Sequence, residues 1–328
     1  MTVITASRQN LIRLLELARI EPLLAAVSNI WLITFLAFGI ESSSQRNPAL
    51  DAMGPLLAIL LATIVAVGLV SCAMTFNDVI DARYDRRFTP DRPIPSGRIS
   101  MTSAVIATIV CLLVTMAAAA TFGTTSMLLA LIVVVGILFY NLVGRFMPAV
   151  GVVSFGLISA GSMLIANPRP AFVWPVALTM THVMVCATLR YWLAGKRPRL
   201  SVLDGWGICL GWAFWTLLLV SQTNVQIALG KPRAMWAGPI IMLFTFIGIG
   251  TRLLVGKIGP ERSRRNAGRR FIRWSILWLI FYNAAWLLAA GLLWQGTATL
   301  GLFGAVWVLN RSKQLLAATV SPRHLVSL

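Results

Sequence analysis

Charge is what this chain has least of. Asp, Glu, Lys and Arg make up 12% of its 328 residues, where soluble proteins carry about a quarter. An ordinary soluble domain and a disordered chain are both excluded. Carboxylates are scarcer still, with 10 Asp and Glu against 28 Lys and Arg. The cysteines Cys72, Cys111, Cys186 and Cys209 lie in apolar stretches without paired spacing. That argues against a disulfide framework and leaves them as small buried hydrophobes. His182 and His324 form no ligand cluster. Residues 1–21 lack the apolar core and cleavage site of a signal peptide and read as an amphipathic cytoplasmic lead-in. No long linker, low-complexity tract or internal repeat is evident, so residues 1–328 read as one domain.

What the chain does have is apolar length. Its hydrophobic content is 58% and its mean hydropathy +0.82. Runs long enough to cross a bilayer as helix, roughly 20 residues each, recur throughout. They fall at 22–40, 54–76, 102–120, 124–142, 148–166, 171–193, 206–222, 236–256 and 271–292, with a shorter candidate at 298–312. These runs lack the strict alternation of barrel strands, and lipid offers the backbone no partners, so helices are the spanning form. The sequence therefore predicts an all-α polytopic membrane bundle of about nine, or ten, transmembrane helices around a central apolar cavity.

A formal charge of +18 raises nucleic acid as a partner. The placement of the charge argues against it, because no loop is long enough to form a basic soluble face. Instead the Lys and Arg follow the topology. The lead-in and the loops after the second, fourth, sixth and eighth spans hold most of them, while the opposite loops hold Arg46, Arg169, Lys231 and Arg233. The positive-inside rule then puts the N-terminus in the cytoplasm and the protein in the cytoplasmic membrane. The arginines of 252–275 read first as part of that signal and second as a surface for anionic membrane lipid.

Against this background, one stretch concentrates the rare carboxylates. "NDVIDARYDRRFTPDRPIPSGR" follows the second span, on the predicted cytoplasmic side. On a helix turning 100° per residue, Asn77, Asp81, Asp85 and Asp78 fall at roughly 0°, 40°, 80° and 100°. Arg83, Arg86 and Arg87 point away. Asp78–Asp81 and Asp81–Asp85 are like-charge neighbours at helical spacing, each pair mildly destabilising, so the face asks for a cation from elsewhere. Stacked carboxylates with an amide suit Mg²⁺, which is usually held by one or two carboxylates together with substrate phosphate oxygens. A purely structural acidic face is the alternative. Pro90, Pro93 and Pro95 then end the helix. Arg92, Ser96 and Arg98 follow in a rigid loop where the arginines offer forked hydrogen bonds to phosphate or, alternatively, anchor the topology.

With these residues the sequence resembles the UbiA superfamily of intramembrane prenyltransferases. Asn77-Asp78-x-x-Asp81-x-x-x-Asp85 is similar to the family's first aspartate-rich motif, and Arg92-Pro93-Ile94-Pro95-Ser96-Gly97 to its RPIPSG extension. The resemblance implies that Asn77, Asp78, Asp81 and Asp85 serve an Mg²⁺ site, with Asp81 and Asp85 catalytic. It also implies a polyprenyl diphosphate donor and an aromatic or lipid acceptor. Tyr140 and Arg145 resemble a further tyrosine and basic pair, of which Arg145 remains. The second aspartate motif is missing from loop 190–204, where Ala187 and Tyr191 stand near the expected aspartates and Asp204 lies too far along. Arg190, Lys196 and Arg197 are then candidate phosphate contacts in its place. Binding of prenyl diphosphates without turnover is the competing reading. A phosphatidyl-type alcohol phosphotransferase is a third, and its DGxxAR signature is absent.

Overall fold

The computed structural model describes residues 19–43, 46–194, 198–221, 234–254 and 261–320. Among these the secondary structure is helical. In chain order the long helices are α1 (Ile20–Ile40), α2 (Pro48–Phe88), α3 (Met101–Ala120), α4 (Thr124–Leu142), α5 (Pro148–Leu164), α6 (Trp174–Ala194), α7 (Val202–Ser221), α8 (Ala234–Leu254), α9 (Glu261–Ala289) and α10 (Leu293–Val320). A short 3₁₀ turn, Gly144–Phe146, joins α4 to α5.

Eight of these are long and apolar enough to cross a membrane. The α5 helix is apolar but has 17 residues, a turn short of the others, and the sequence-predicted segment at 298–312 lies inside the longer α10. This is a multi-pass membrane protein. Its outward faces are what lipid requires, with Leu56, Ile106, Leu113, Ile132, Leu210 and Phe244 exposed.

The boundaries follow local chemistry. The Asn47 side chain accepts from the Ala49 amide and Pro48 occupies the first turn of α2, where its missing N–H costs nothing. At Gly54, with φ 71°, the helix axis breaks before Pro55. From Pro55 to Phe88 the helix is then continuous and rises ~50 Å at ~1.5 Å per residue, against roughly 30 Å of hydrocarbon. Its last turns therefore stand clear of the apolar slab. The Ser100 hydroxyl caps α3 by accepting from the Ser103 amide at 3.0 Å. At the start of α7, Asp204 accepts from the Ser201 amide at 2.9 Å and hydroxyl at 2.7 Å, and the Ser201 hydroxyl accepts the Asp204 amide at 3.0 Å. Asp204 is thus occupied as half of a reciprocal cap.

Helix α1 lies at the centre, packed against α2, α5, α9 and α10. Polar bonds cross these apolar interfaces. The Asn283 amide on α9 donates to Ser28 Oγ and Asn29 Oδ1, both at 2.8 Å, and Trp31 Nε1 donates to Thr63 on α2 at 2.7 Å. At one end of α1, Arg273 of α9 pairs with Glu21 at 2.6 Å and Asn310 of α10 donates to the same carboxylate. At the other end the buried Glu41 accepts from Asn167 Nδ2 at 2.9 Å and the Ala171 amide at 2.8 Å. Asn47 closes that clasp by donating to the Phe122 and Ala166 carbonyls.

Candidate functional site

The projecting end of α2 carries the acidic residues, and guanidinium groups from three other segments converge on it. Two arrangements result. In the first, Asn77 Nδ2 donates to Asp81 Oδ2 at 3.2 Å across one helical turn. Arg145, from the 3₁₀ turn after α4, reaches both: its Nη2 lies 2.7 Å from Asp81 Oδ1 and its Nη1 donates to Asn77 Oδ1 at 3.4 Å. In the second, Arg92 Nη1 lies 2.7 Å from Asp85 Oδ2 and 3.7 Å from Asp78 Oδ1. The Thr89 hydroxyl donates to Asp85 Oδ1 at 2.7 Å, and Arg19 approaches Asp78 at 3.3 Å from the chain just before α1.

The single acidic face read from helical spacing thus resolves into two pairs with different surroundings. Asp78 and Asp85 are buried, while Asn77 and Asp81 are half-buried beside the Arg145 turn. Arg83, Arg86 and Arg87 are exposed, as their angular positions required. The cations that satisfy the carboxylates come from distant segments, which a helical wheel of α2 cannot display.

Loop 89–99 is closed by its own backbone. The Thr89 amide donates to the Asp85 carbonyl, that of Ser96 to Arg92, and that of Ile99 to Pro93. Gly97 sits at φ 74°, a conformation that favours glycine. Ile94 is buried with Ala82 and Ala104, so the loop folds back onto α2 and α3. Arg98 is exposed, donating to Ser96 Oγ at 3.0 Å and to the Asp91 carbonyl.

The second loop is represented by its flanks. Tyr191, standing where the resemblance led us to look for an aspartate, is buried and donates its hydroxyl to the Arg145 carbonyl at 3.3 Å. Ala187 packs into the core cluster around it. Arg190 is exposed at the end of α6. Lys196 and Arg197 lie outside the described residues, as do residues 1–18 of the lead-in. The Tyr140 ring packs on Phe155 at 5.4 Å between centroids. His182 is a core residue, with Nε2 2.9 Å from the Ser275 carbonyl and its ring against Phe246 and Tyr282.

The Arg145 side chain has one further property. Its Nε is shielded from solvent and has no acceptor among the described residues, although Nη1 and Nη2 are both engaged. Its guanidinium also lies over the Phe146 ring at 4.8 Å. A buried N–H without a partner costs about 1–3 kcal/mol, so the side chain is held against a penalty that a further oxygen ligand would relieve.

Asn77 and Asp81 supply an amide oxygen and a carboxylate one turn apart, a donor set that fits a hard divalent cation completed by phosphate and water oxygens. No group of three or more Asp, Glu, His or Cys gathers in metal-holding geometry among the described residues.

An all-helical membrane bundle with a paired acidic and basic cluster at the projecting end of its second helix defines the class. The chain belongs to the UbiA prenyltransferase family, whose model matches residues 30–258. It is 31% identical over 91 residues to digeranylgeranylglyceryl phosphate synthase of Saccharolobus solfataricus, covering 28% of this chain and 31% of that protein. With the synthase of the same name from Methanosarcina barkeri it shares 27% identity over 150 residues, covering 46% and 52%. The chain thus spans about a third to a half of the curated relatives it matches. A solved structure of digeranylgeranylglyceryl phosphate synthase superposes with a TM-score of 0.56 at 15% identity, over 86% of this chain and 98% of that one, a likeness of fold.

Proposed function

We propose that this protein transfers a prenyl group from an isoprenoid diphosphate to an acceptor within the cytoplasmic membrane, using Mg²⁺ and a diphosphate site that faces the cytoplasm. The observation that carries the reading is the grouping of Asn77, Asp81 and Arg145, oxygen donors and a guanidinium at the mouth of an apolar bundle. An amphiphile with an anionic head and a hydrocarbon tail matches both halves.

Asn77 and Asp81 would hold the metal, which would supply positive charge to the leaving diphosphate. Arg145 offers its fork to the same oxygens, and Arg92, Arg190, Lys196 and Arg197 add positive charge around the head. Asp78 and Asp85 fix Arg92 and the proline-rich loop in place. The allylic C–O bond breaks as diphosphate accepts its electron pair. The carbon then bonds to the acceptor nucleophile, which gives up a proton. The helices exclude water from the tail and the allylic carbon, so that the acceptor and not water captures it.

Purified protein in lipid nanodiscs, given Mg²⁺ and prenyl diphosphates of several lengths, should release diphosphate in the presence of an acceptor, and Asp81→Asn should reduce release at least a hundredfold. Prenylated glycerol phosphate and aromatic acids form the two acceptor arms, and the names of the relatives put the former first. Binding without turnover is the reading that Ala187 and Tyr191 favour, since both occupy places where an acidic pair was sought. Saturable binding with no release from any donor and acceptor combination would establish it instead.

A further inference from the structure

Resting on that reading, we infer that Arg145 and the divalent cation compete for Asn77 and Asp81, so that the metal and the diphosphate load together. The donors assigned to the cation are the atoms Arg145 already holds: Asp81 Oδ1 at 2.7 Å and Asn77 Oδ1 at 3.4 Å. A guanidinium and a divalent cation cannot share one carboxylate oxygen at contact distance. Like charges so close repel strongly even in a well-screened protein interior. One must yield.

Arg145 can yield only through its side chain. Its backbone is anchored. The Tyr191 hydroxyl holds the Arg145 carbonyl, the Met147 amide donates to the Gly144 carbonyl at 3.0 Å, and a Cβ built on Gly151 would stand 2.4 Å from that same Gly144 oxygen. The side chain carries one unsatisfied group, Nε, which is buried and without an acceptor among the described residues. Turning the guanidinium from the carboxylate to a diphosphate would release Asp81 and give Nε an oxygen. A diphosphate supplies both the destination for Arg145 and further ligands for the cation. Neither event is favourable alone, because the cation would have to expel Arg145 to water or the diphosphate would have to draw it off and leave Asp81 unpaired.

The test measures binding, not turnover. Mn²⁺ is titrated into the full-length protein in nanodiscs and free Mn²⁺ is read by electron paramagnetic resonance, with and without a prenyl thiolodiphosphate that resists cleavage. In the parent protein the analogue should tighten Mn²⁺ at least tenfold. Arg145→Gln should bind Mn²⁺ alone about five- to tenfold more tightly than the parent, while the analogue's effect shrinks to threefold or less. Arg145→Lys keeps the charge without the fork and should fall between. Absence of coupling in the parent overturns the inference regardless of how the variants fold, as does Mn²⁺ affinity that is unchanged or weaker in Arg145→Gln. Asp81→Asn separates the two levels of argument. If it abolishes Mn²⁺ binding while Arg145→Gln changes nothing, the metal assignment stands and the competition fails. If it leaves Mn²⁺ binding intact, the metal assignment itself fails.

Discussion

Replacing Arg92 should harm the protein more than replacing its partner Asp85. The Asp85 side chain is 5% exposed and that of Arg92 38%, at a separation of 2.7 Å. In Arg92→Leu the carboxylate stays buried, keeps the Thr89 hydroxyl and loses its cation. Stranding one member of a buried pair costs about 3–5 kcal/mol. Asp85 lies one turn from a helix end and keeps the Thr89 hydroxyl, so about 2–3 kcal/mol is expected here. In Asp85→Asn the guanidinium turns to water and the amide still accepts from Thr89, which limits the loss to about 1 kcal/mol. The double variant strands nothing and should resemble Asp85→Asn alone, a coupling of about 2–3 kcal/mol. Chemical denaturation in nanodiscs followed by tryptophan fluorescence gives the four stabilities, and hydrogen exchange over residues 85–99 reports the loop directly. Additive losses, or an Arg92→Leu no worse than Asp85→Asn, would refute the view that Asp85 latches the loop. A tenfold loss of Mn²⁺ affinity in Asp85→Asn would return this residue to the metal shell.

The remaining expectations concern the frame around the site. A Cβ on Gly68 would stand 2.1 Å from Thr115 Oγ1, a fully buried atom already bonded to the Cys111 carbonyl at 2.7 Å. Gly68→Ala should therefore cost about 2–3 kcal/mol by overpacking α2 against α3, and Gly68→Ala/Thr115→Ala should recover at least half of it in the same denaturation assay. Glu41→Ala leaves Asn167 and the Ala171 amide without their acceptor and should cost about 2–3 kcal/mol. Because Glu41 lies at the opposite end of α1 from the site, turnover per folded molecule should be unchanged. Tyr191→Phe removes the hydroxyl that holds the Arg145 carbonyl and should raise the KM for prenyl diphosphate roughly three- to tenfold, the equivalent of one hydrogen bond. An unchanged KM would mean that the 3₁₀ turn positions Arg145 unaided.

Several tryptophans are packing residues in the structure. Trp286 is buried edge-to-face against Phe172 and Trp236, at 5.3 and 5.2 Å between centroids. That cluster ties α9 to the start of α8 and the chain before α6. No feature of the sequence separated these indoles from lipid-facing ones such as Trp206 and Trp307, which are exposed. Burial among the described helices depends on rotation about each axis, and uniformly apolar helices do not display it.

The helices themselves were legible because lipid leaves the backbone no alternative, so apolar length alone specified most boundaries to within a few residues, but not the ends of α2, α9 and α10, which run on beyond their apolar stretches. The α2 acidic face was legible for the same reason, helical geometry being local. Glu21, Glu41 and Asn283 gave no comparable signal, since each is a single polar residue whose partner lies far along the chain. The division of the acidic face into two pairs likewise belonged to tertiary structure. Asp81 differs from Asp85 because Arg145 arrives from after α4 and Arg92 from the loop beyond α2. Sequence determined that oxygen ligands and cations would meet at one end of a membrane bundle. Only the packing of distant segments decided which carboxylate each cation holds, because a charge pair is set by position in space and the chain records only order.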